Sequence, residues 1–435
     1  MSDAPSRPHA PRPRVPKPRL GPRPLPLHLL GANLTWQSSK LALPFLKSGL
    51  LPWSQSLSVR ADELRRDLAD IAPAEFAAAL EAELGRRTDK FLSGVEAYRH
   101  HPYRRDMPEP PCIWQEGTTR LLDYGPEDGV PLLVVPSLIN RAYVLDLSPR
   151  CSLLRYLSAR GVRPLLVDWD RPGPAERNFD LTDYIAGRLD QAFEVAVAKV
   201  GSPLAVMGYC MGGLLSLALA ERHQRDVASL VLMATPWDFH QDPRIRQWAD
   251  IMAPLGSGAP HGPEYLDGPF TRWLTDSGLE ALGEVPTDML QAMFFMAAPQ
   301  TGLRKFDRFA ELDPDSEEAI RFVAIEDWIN DGVPLALPTA RDCLGGWYQR
   351  NDPAQHRWKV AGRTVDARRI TRPALLVAAT HDTLVPLATA NALAEILPAA
   401  TMLSLPLGHI GLVVATRAET LAWRPIADHV LSHRH

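Results

Sequence analysis

Leu204-Ala205-Val206-Met207-Gly208-Tyr209-Cys210-Met211-Gly212-Gly213-Leu214-Leu215-Ser216-Leu217-Ala218-Leu219 is the stretch that decides the fold. Leu204 to Met207 read as an apolar strand and Leu214 to Leu219 as a helix, joined through G-x-C-x-G. A strand that turns this sharply into a helix has the shape of a nucleophile elbow. Small residues at Gly208 and Gly212 let the backbone bend without a clash, so the middle side chain projects at the end of the sheet. Serine usually holds that apex. Here it is Cys210, and a thiol there narrows the chemistry.

A cysteine in an apolar window is most often an inert core thiol. Cys210 becomes a nucleophile only if a base and an orienting acid accompany it. In elbow enzymes the chain order is nucleophile, acid, histidine. Leu375-Leu376-Val377-Ala378-Ala379 runs into Thr380-His381-Asp382, which puts Asp382 at the C-terminal end of a strand. Thr401-Met402-Leu403-Ser404-Leu405 then runs into Pro406-Leu407-Gly408-His409-Ile410-Gly411, which puts His409 at the next strand end. Taken singly, Asp382 reads as a turn residue and His409 as a surface histidine. In this order, each after its own strand, they read as the triad Cys210, Asp382, His409. His381 competes for the role of base, but its adjacency to Asp382 makes it a poor partner for the same carboxylate. Cys112, Cys151 and Cys343 have no elbow around them and read as structural.

Outward from the elbow, strand-like runs appear at Thr119–Leu122, Leu132–Pro136, Pro164–Asp168 and Leu230–Ala234. Helical patterns at Ser152–Ala159 and Asp183–Lys199 lie between them, the second with Ile185, Leu189, Ala192 and Phe193 on one face. Such alternation predicts a mainly parallel sheet flanked by helices, the α/β-hydrolase fold, with a core over residues 111–240 and 340–435. Between Trp237 and Leu375 the rhythm breaks. Helices are expected at Ile245–Ile251, Pro269–Leu282, Asp288–Met296 and Glu317–Ile329, and residues 241–339 read as a helical cap or lid. Within it, Gly256-Ser257-Gly258 lacks a preceding strand and a following lysine, so it is no phosphate loop. Phe294 and Phe295 read as cap residues that either pack or face a product. A last helix is expected from Arg417 to Leu431.

Residues 28–110 read as a helical N-terminal region, with Leu64, Leu68, Ile71, Phe76, Leu80 and Leu84 at helical steps. The piece Leu41 to Trp53 is apolar with few charges and reads either as a packed helix or as a segment lying on a hydrophobic surface. Residues 1–27, dense in proline and arginine, read as a disordered, solvated tail.

The 435 residues leave room for one large domain and appendages. A net charge of −4 argues against a dedicated nucleic-acid binder. The four cysteines show neither a disulfide framework nor zinc spacing, so no metal is expected and a reducing, cytoplasmic setting is. No apolar run has the length of a transmembrane helix, and the start is too proline-rich for a signal-peptide core.

These residues resemble the poly(3-hydroxyalkanoate) synthase family, above all the catalytic subunit of its short, two-component type. The family's box G-x-C-x-G-G matches Gly208 to Gly213. Leu138-Ile139-Asn140-Arg141-Ala142-Tyr143-Val144-Leu145-Asp146-Leu147 is similar to its "LINRPYILDL" segment, Val167-Asp168-Trp169 to its "IDW" and Thr235-Pro236-Trp237-Asp238-Phe239 to its "TPVDF". The C-terminal block from Val365-Asp366 through Asp382 and Val385-Pro386 to Gly408-His409-Ile410-Gly411 matches in order. The family commonly places histidine after the triad aspartate, where this chain has Thr383. The resemblance implies polymerisation of 3-hydroxyacyl-CoA thioesters through an acyl group on Cys210, with release of CoA. It implies an oxyanion hole from the N–H of Met211 and of Leu138 or Ile139, and no organic cofactor or metal. The partners it points to are the growing polyester, the surface of a storage granule, a second copy of the chain and a helical partner subunit. Two other readings stay open: a thioesterase or polyester depolymerase on the same fold, and a non-catalytic protein of the granule surface.

Overall fold

The computed structural model describes residues 17–201, 203–252, 278–297 and 299–434. Backbone contacts divide the chain into two units, Met1–Arg104 with Gln300–Val323, and Arg105–Pro299 with Ala324–His435.

The first unit is helical: α1 Leu25–Ser48, α2 Ser58–Asp67 and α3 Pro73–His100, with the later helix Pro299–Phe309 contributing most of its length. One continuous helical pattern in the sequence thus resolves into three helices. The first ends at Gly49, whose φ of 73° is the left-handed turn that glycine adopts most readily. Trp36, Phe91 and Phe306 meet edge to face at 5.8 and 5.9 Å. At Gly94 an added Cβ would lie 2.1 Å from the Phe306 carbonyl oxygen, so the two backbones touch there. Residues Gln300–Val323, read from the sequence as part of the cap, therefore pack on the N-terminal helices. Leu303, Phe306 and Phe309 are the buried residues that hold them there.

The disordered tail expected over residues 1–27 needs correction from Lys17 onward; residues 1–16 lie outside the described residues. Proline density blocks a helix but not an extended segment, and this one is anchored. The Arg19 N–H donates to the Arg99 carbonyl at 2.9 Å, and the Arg19 guanidinium donates to the Tyr98 and His101 carbonyls at 3.3 and 2.6 Å. Those carbonyls belong to the end of α3, where the helix itself offers no donor. The helix α1 then begins at Leu25 because proline is tolerated in a first turn. In the Leu41–Trp53 piece, Leu41, Phe45, Leu50 and Trp53 are exposed rather than packed.

In the second unit, eight strands among the described residues form one sheet. They are β1 Cys112–Glu116, β2 Thr119–Asp123, β3 Val130–Val135, β4 Val162–Asp168, β5 Leu204–Tyr209, β6 Val227–Met233, β7 Ala374–Ala379 and β8 Ala400–Leu405. Their spatial order is β1-β2-β4-β3-β5-β6-β7-β8. The pairs β1–β2 and β2–β4 are antiparallel, and every later pair is parallel. Parallel strands require crossovers that cover both faces, which is why β5 and β6 are buried along their whole length. The crossovers include α4 Leu153–Ser158, α5 Asp190–Val200 with a π-helical lead-in Asp183–Leu189, and α6 Met211–Arg222. This is the α/β-hydrolase arrangement. Every strand expected from the sequence lies in the sheet, and β1 is an addition.

Between β6 and β7 the described helices include Pro243–Met252, Leu279–Leu282, Thr287–Ala297, Pro299–Phe309, Glu317–Asn330 and Leu337–Ala340. Most of the expected helix Pro269–Leu282, and Gly256-Ser257-Gly258, lie outside the described residues. In the helix Thr287–Ala297, Phe295 is buried and Phe294 packs against the core, while Met293 and Met296 are exposed. The last expected helix appears as a π-turn Glu419–Trp423 continuing into Arg424–Ser432.

Candidate active site

The nucleophile position is built by a sharp bend and two close approaches. Cys210 follows β5 at φ 56° and ψ −123°, a left-handed backbone costly for a residue with a side chain. The bend is held on both sides: the Cys210 N–H donates to the Met233 carbonyl at 2.8 Å, and the Cys210 carbonyl accepts from the Gly213 N–H at 2.9 Å. A Cβ on Gly212 would lie 2.1 Å from the Val135 carbonyl oxygen, and one on Gly213 1.9 Å from Thr235 Oγ1. The first turn of α6 is thus pressed between the ends of β3 and β6. Only a chain without side chains at these positions lets the helix start directly beneath the thiol.

Asp382 and His409 arrive from the loops after β7 and β8, neighbours in the sheet. The Asp382 side chain has no solvent exposure, and its carboxylate is fully engaged. Oδ1 accepts the N–H groups of Leu384 and Val385, each at 2.8 Å, and Oδ2 accepts from His409 Nδ1 at 2.6 Å. Because the carboxylate only accepts, His409 carries its proton on Nδ1 and turns Nε2 the other way. The Cys210 side chain also acts on this ring. Two of the residues picked out in the sequence, Asp382 and His409, are thus hydrogen-bonded, and the third bears on the same imidazole.

Burial opposes the imidazolium form of His409. The Cys210 charge, the Asp382 hydrogen bond and the Cys210 hydrogen bond outweigh it and raise the imidazole to about 10. Tyr209, within the elbow, was not singled out from the sequence. Its ring lies 5.4 Å from the His409 ring and its hydroxyl donates to the His409 carbonyl at 3.4 Å. Burial, then the Cys210 and Asp382 charges, push its phenol well above its ordinary value, so it remains neutral. Its place in the elbow was the only available signal.

The other candidates fall outside this chain of contacts. His381 is exposed, and its N–H donates to the Leu407 carbonyl. Cys112 is exposed, Cys151 and Cys343 are buried, and burial pushes the Cys343 thiol well up. For the oxyanion hole, the N–H groups of Met211 and Leu138 have no acceptor among the described residues. The Ile139 N–H faces Ser137 Oγ at 3.4 Å, which leaves Leu138 the freer of the two loop donors. Among the described residues no group of acidic, histidine and cysteine side chains has the arrangement of a metal site. No helix among them is long and apolar enough to cross a membrane.

Fold and site define the class: an α/β hydrolase with a thiol in the nucleophile's place. The family described as alpha/beta hydrolase fold matches residues 130–256. The chain is 30% identical over 359 residues to the poly(3-hydroxyalkanoate) polymerase subunit PhaC of Synechocystis sp., covering 80% of this chain and 91% of that one. It is 31% identical over 296 residues to the subunit of the same name from Allochromatium vinosum, covering 67% and 77%. Against the subunit from Haloferax mediterranei, 28% identity spans 73% of this chain and 62% of that one. The chain belongs to the poly(3-hydroxyalkanoate) polymerase subunit PhaC family.

Proposed function

We propose that this protein is an acyltransferase that polymerises 3-hydroxyacyl-CoA thioesters, with Cys210 as nucleophile, His409 as acid and base, and Asp382 as its orienting carboxylate. The single observation that carries this reading is the 2.6 Å bond between Asp382 and His409, with Cys210 acting on the same imidazole, at the ends of β7, β8 and β5.

The Cys210 proton passes to His409 Nε2, and the thiolate adds to the thioester carbonyl carbon. The oxyanion is received by the N–H groups of Met211 and Leu138; one such donor is worth about a hundred- to a thousandfold in rate. The carbon–sulfur bond to CoA breaks, the imidazolium protonates the departing thiolate, and the acyl group remains on Cys210. That acylation neutralises the sulfur whose charge is the chief influence raising His409. The imidazole is then no longer held in its protonated form, so it is free to take the proton of the acceptor hydroxyl. The hydroxyl oxygen of the next monomer or chain end then attacks, forming an ester and returning the thiol. Thioester exchanged for thioester is nearly thermoneutral, which suits a thiol nucleophile. No cofactor or metal is needed, since the triad moves the protons and the substrate is already activated.

The proposal extends to partners. The growing polyester is itself an apolar surface, and a storage granule is its accumulated form. A second copy of the chain and a helical subunit complete the set. A setting that keeps Cys210 reduced belongs to the same reading.

The test is incubation with 3-hydroxybutyryl-CoA, following CoA release, polymer and the mass of the Cys210 peptide. CoA release with insoluble polyester and an acyl adduct on Cys210 is the expected result. Free hydroxyacid without polymer would make the protein a thioesterase instead, and release that persists in Cys210→Ala would remove the thiol from the mechanism.

A further inference from the structure

The loop that follows β3, Pro136 to Arg141, carries the Leu138 N–H, and it does not hold its own shape. Its peptide planes are set from outside at three places. Trp169, just after β4, donates its indole N–H to the Pro136 carbonyl at 3.1 Å. The Val333 N–H donates to the Ile139 carbonyl at 3.3 Å, beside an antiparallel bridge between Asn140 and Gly332. Trp328, 4% exposed, donates its indole N–H to the Arg141 carbonyl at 2.7 Å. Two of these three braces come from the segment Trp328–Val333, which belongs to the insertion between β6 and β7. That segment is itself tied down: Thr287 Oγ1 donates to the Gly332 carbonyl at 3.2 Å and Gln291 Nε2 to the Ile329 carbonyl at 2.7 Å. The Arg141 side chain reaches back to Asp331 at 3.8 Å.

We propose that Trp328 is a positioning residue for acyl transfer: through its bond to the Arg141 carbonyl it orients the loop that presents the Leu138 N–H to the oxyanion. The inference rests on the acyl-transfer reading above and adds that the insertion, besides covering the core, completes the oxyanion hole. A carbonyl held at 2.7 Å by a buried indole fixes the rotation of its peptide plane, and the neighbouring planes follow over a few residues. An N–H displaced by about 1 Å from an oxyanion forfeits up to about a hundredfold in rate. Ground-state binding of the thioester does not use that bond, so KM is spared.

Trp328→Phe keeps an aromatic side chain and removes the donor together with the five-membered ring. The experiment compares two reactions of the same thiol: acylation by 3-hydroxybutyryl-CoA, which passes through an oxyanion, and alkylation by iodoacetamide, which does not. The expected result is acylation slowed at least about tenfold with KM changed less than about twofold, and alkylation at the wild-type rate. Acylation at the wild-type rate overturns the proposal. So does an equal loss of acylation and alkylation, which would make Trp328 a support of the triad or of the fold as a whole. Should Trp328→Phe fail to fold, 3-benzothienylalanine incorporated in place of Trp328 takes its role: it keeps the bicyclic shape and removes only the N–H that reaches the Arg141 carbonyl, and the same outcomes decide. Wild-type protein that is alkylated by iodoacetamide yet never releases CoA would instead sink the acyl-transfer reading, and the positioning role with it.

Discussion

His409 carries two opposing demands, and its surroundings show how they are met. Burial disfavours the charged ring, whereas the sulfur on one side and the carboxylate on the other favour it, and the pair wins. The consequence for stability has a definite sign. The imidazole titrates near 6.5 in the unfolded chain and near 10 in the folded one, so its contribution is fully present below pH 6.5 and is lost as pH rises through that window. Cys210→Ala removes the largest favourable influence, so the denaturation midpoint of that variant should fall less between pH 8 and 10 than that of the wild type. Equal slopes in the two proteins would mean that the sulfur does not hold the proton on His409. The same variant should lose at least about a thousandfold in CoA release, since the oxyanion hole alone leaves only residual catalysis.

At the scale of the element, the elbow was legible because each of its residues has one physical job. The glycines admit the close approach of α6 to β3 and β6, and the apolar runs on either side have different periods. Gly212→Ala tests this directly: its Cβ would meet a backbone oxygen, which cannot step aside as a side chain can. We expect a loss of about 3 kcal/mol or more in unfolding free energy, measured by denaturant titration, at the severe end of the overpacking range. A variant as stable as the wild type would show that the helix start has slack. The strand β1 was not legible. Its pairing with β2 shifts register between Cys112 and Trp114, which breaks the alternation that marks a strand. The helix Pro299–Phe309 was missed although Leu303, Phe306 and Phe309 recur at three-residue steps on one buried face. That this face packs beside Gly94 on the N-terminal helices, not in the cap, is a fact of tertiary packing.

Over the whole molecule, order along the chain was readable and distance across it was not. Cys210, Asp382 and His409 each follow a strand, and strands that follow one another in an α/β sheet place their ends together. Trp328 and Arg141 are 187 residues apart, and no local signal ties an indole in an insertion to a carbonyl in the first crossover. The exposed apolar residues present a third case, half legible. The sequence marks Leu41 to Trp53 as apolar without saying whether it packs. In the structure Leu30, Leu34, Leu41 and Phe45 of α1 are 54%, 61%, 78% and 51% exposed. Their spacing of four, seven and four residues puts them on one stripe of the helix. A stripe of large apolar side chains left in water calls for an apolar partner, and the polyester product is the one the proposed reaction supplies. Full burial of one such side chain is worth about 1.5–3 kcal/mol, so replacing two of them removes at least about a hundredfold in affinity. The double variant Leu34→Glu, Leu41→Glu should therefore sediment poorly with polyester particles where the wild type co-sediments. Its CoA release from soluble 3-hydroxybutyryl-CoA should be unchanged in the first turnovers, before polymer has formed. Undiminished co-sedimentation of the variant would detach the granule surface from α1, and the stripe would then need a protein partner such as a second copy, which the concentration dependence of the sedimentation profile without polymer would reveal.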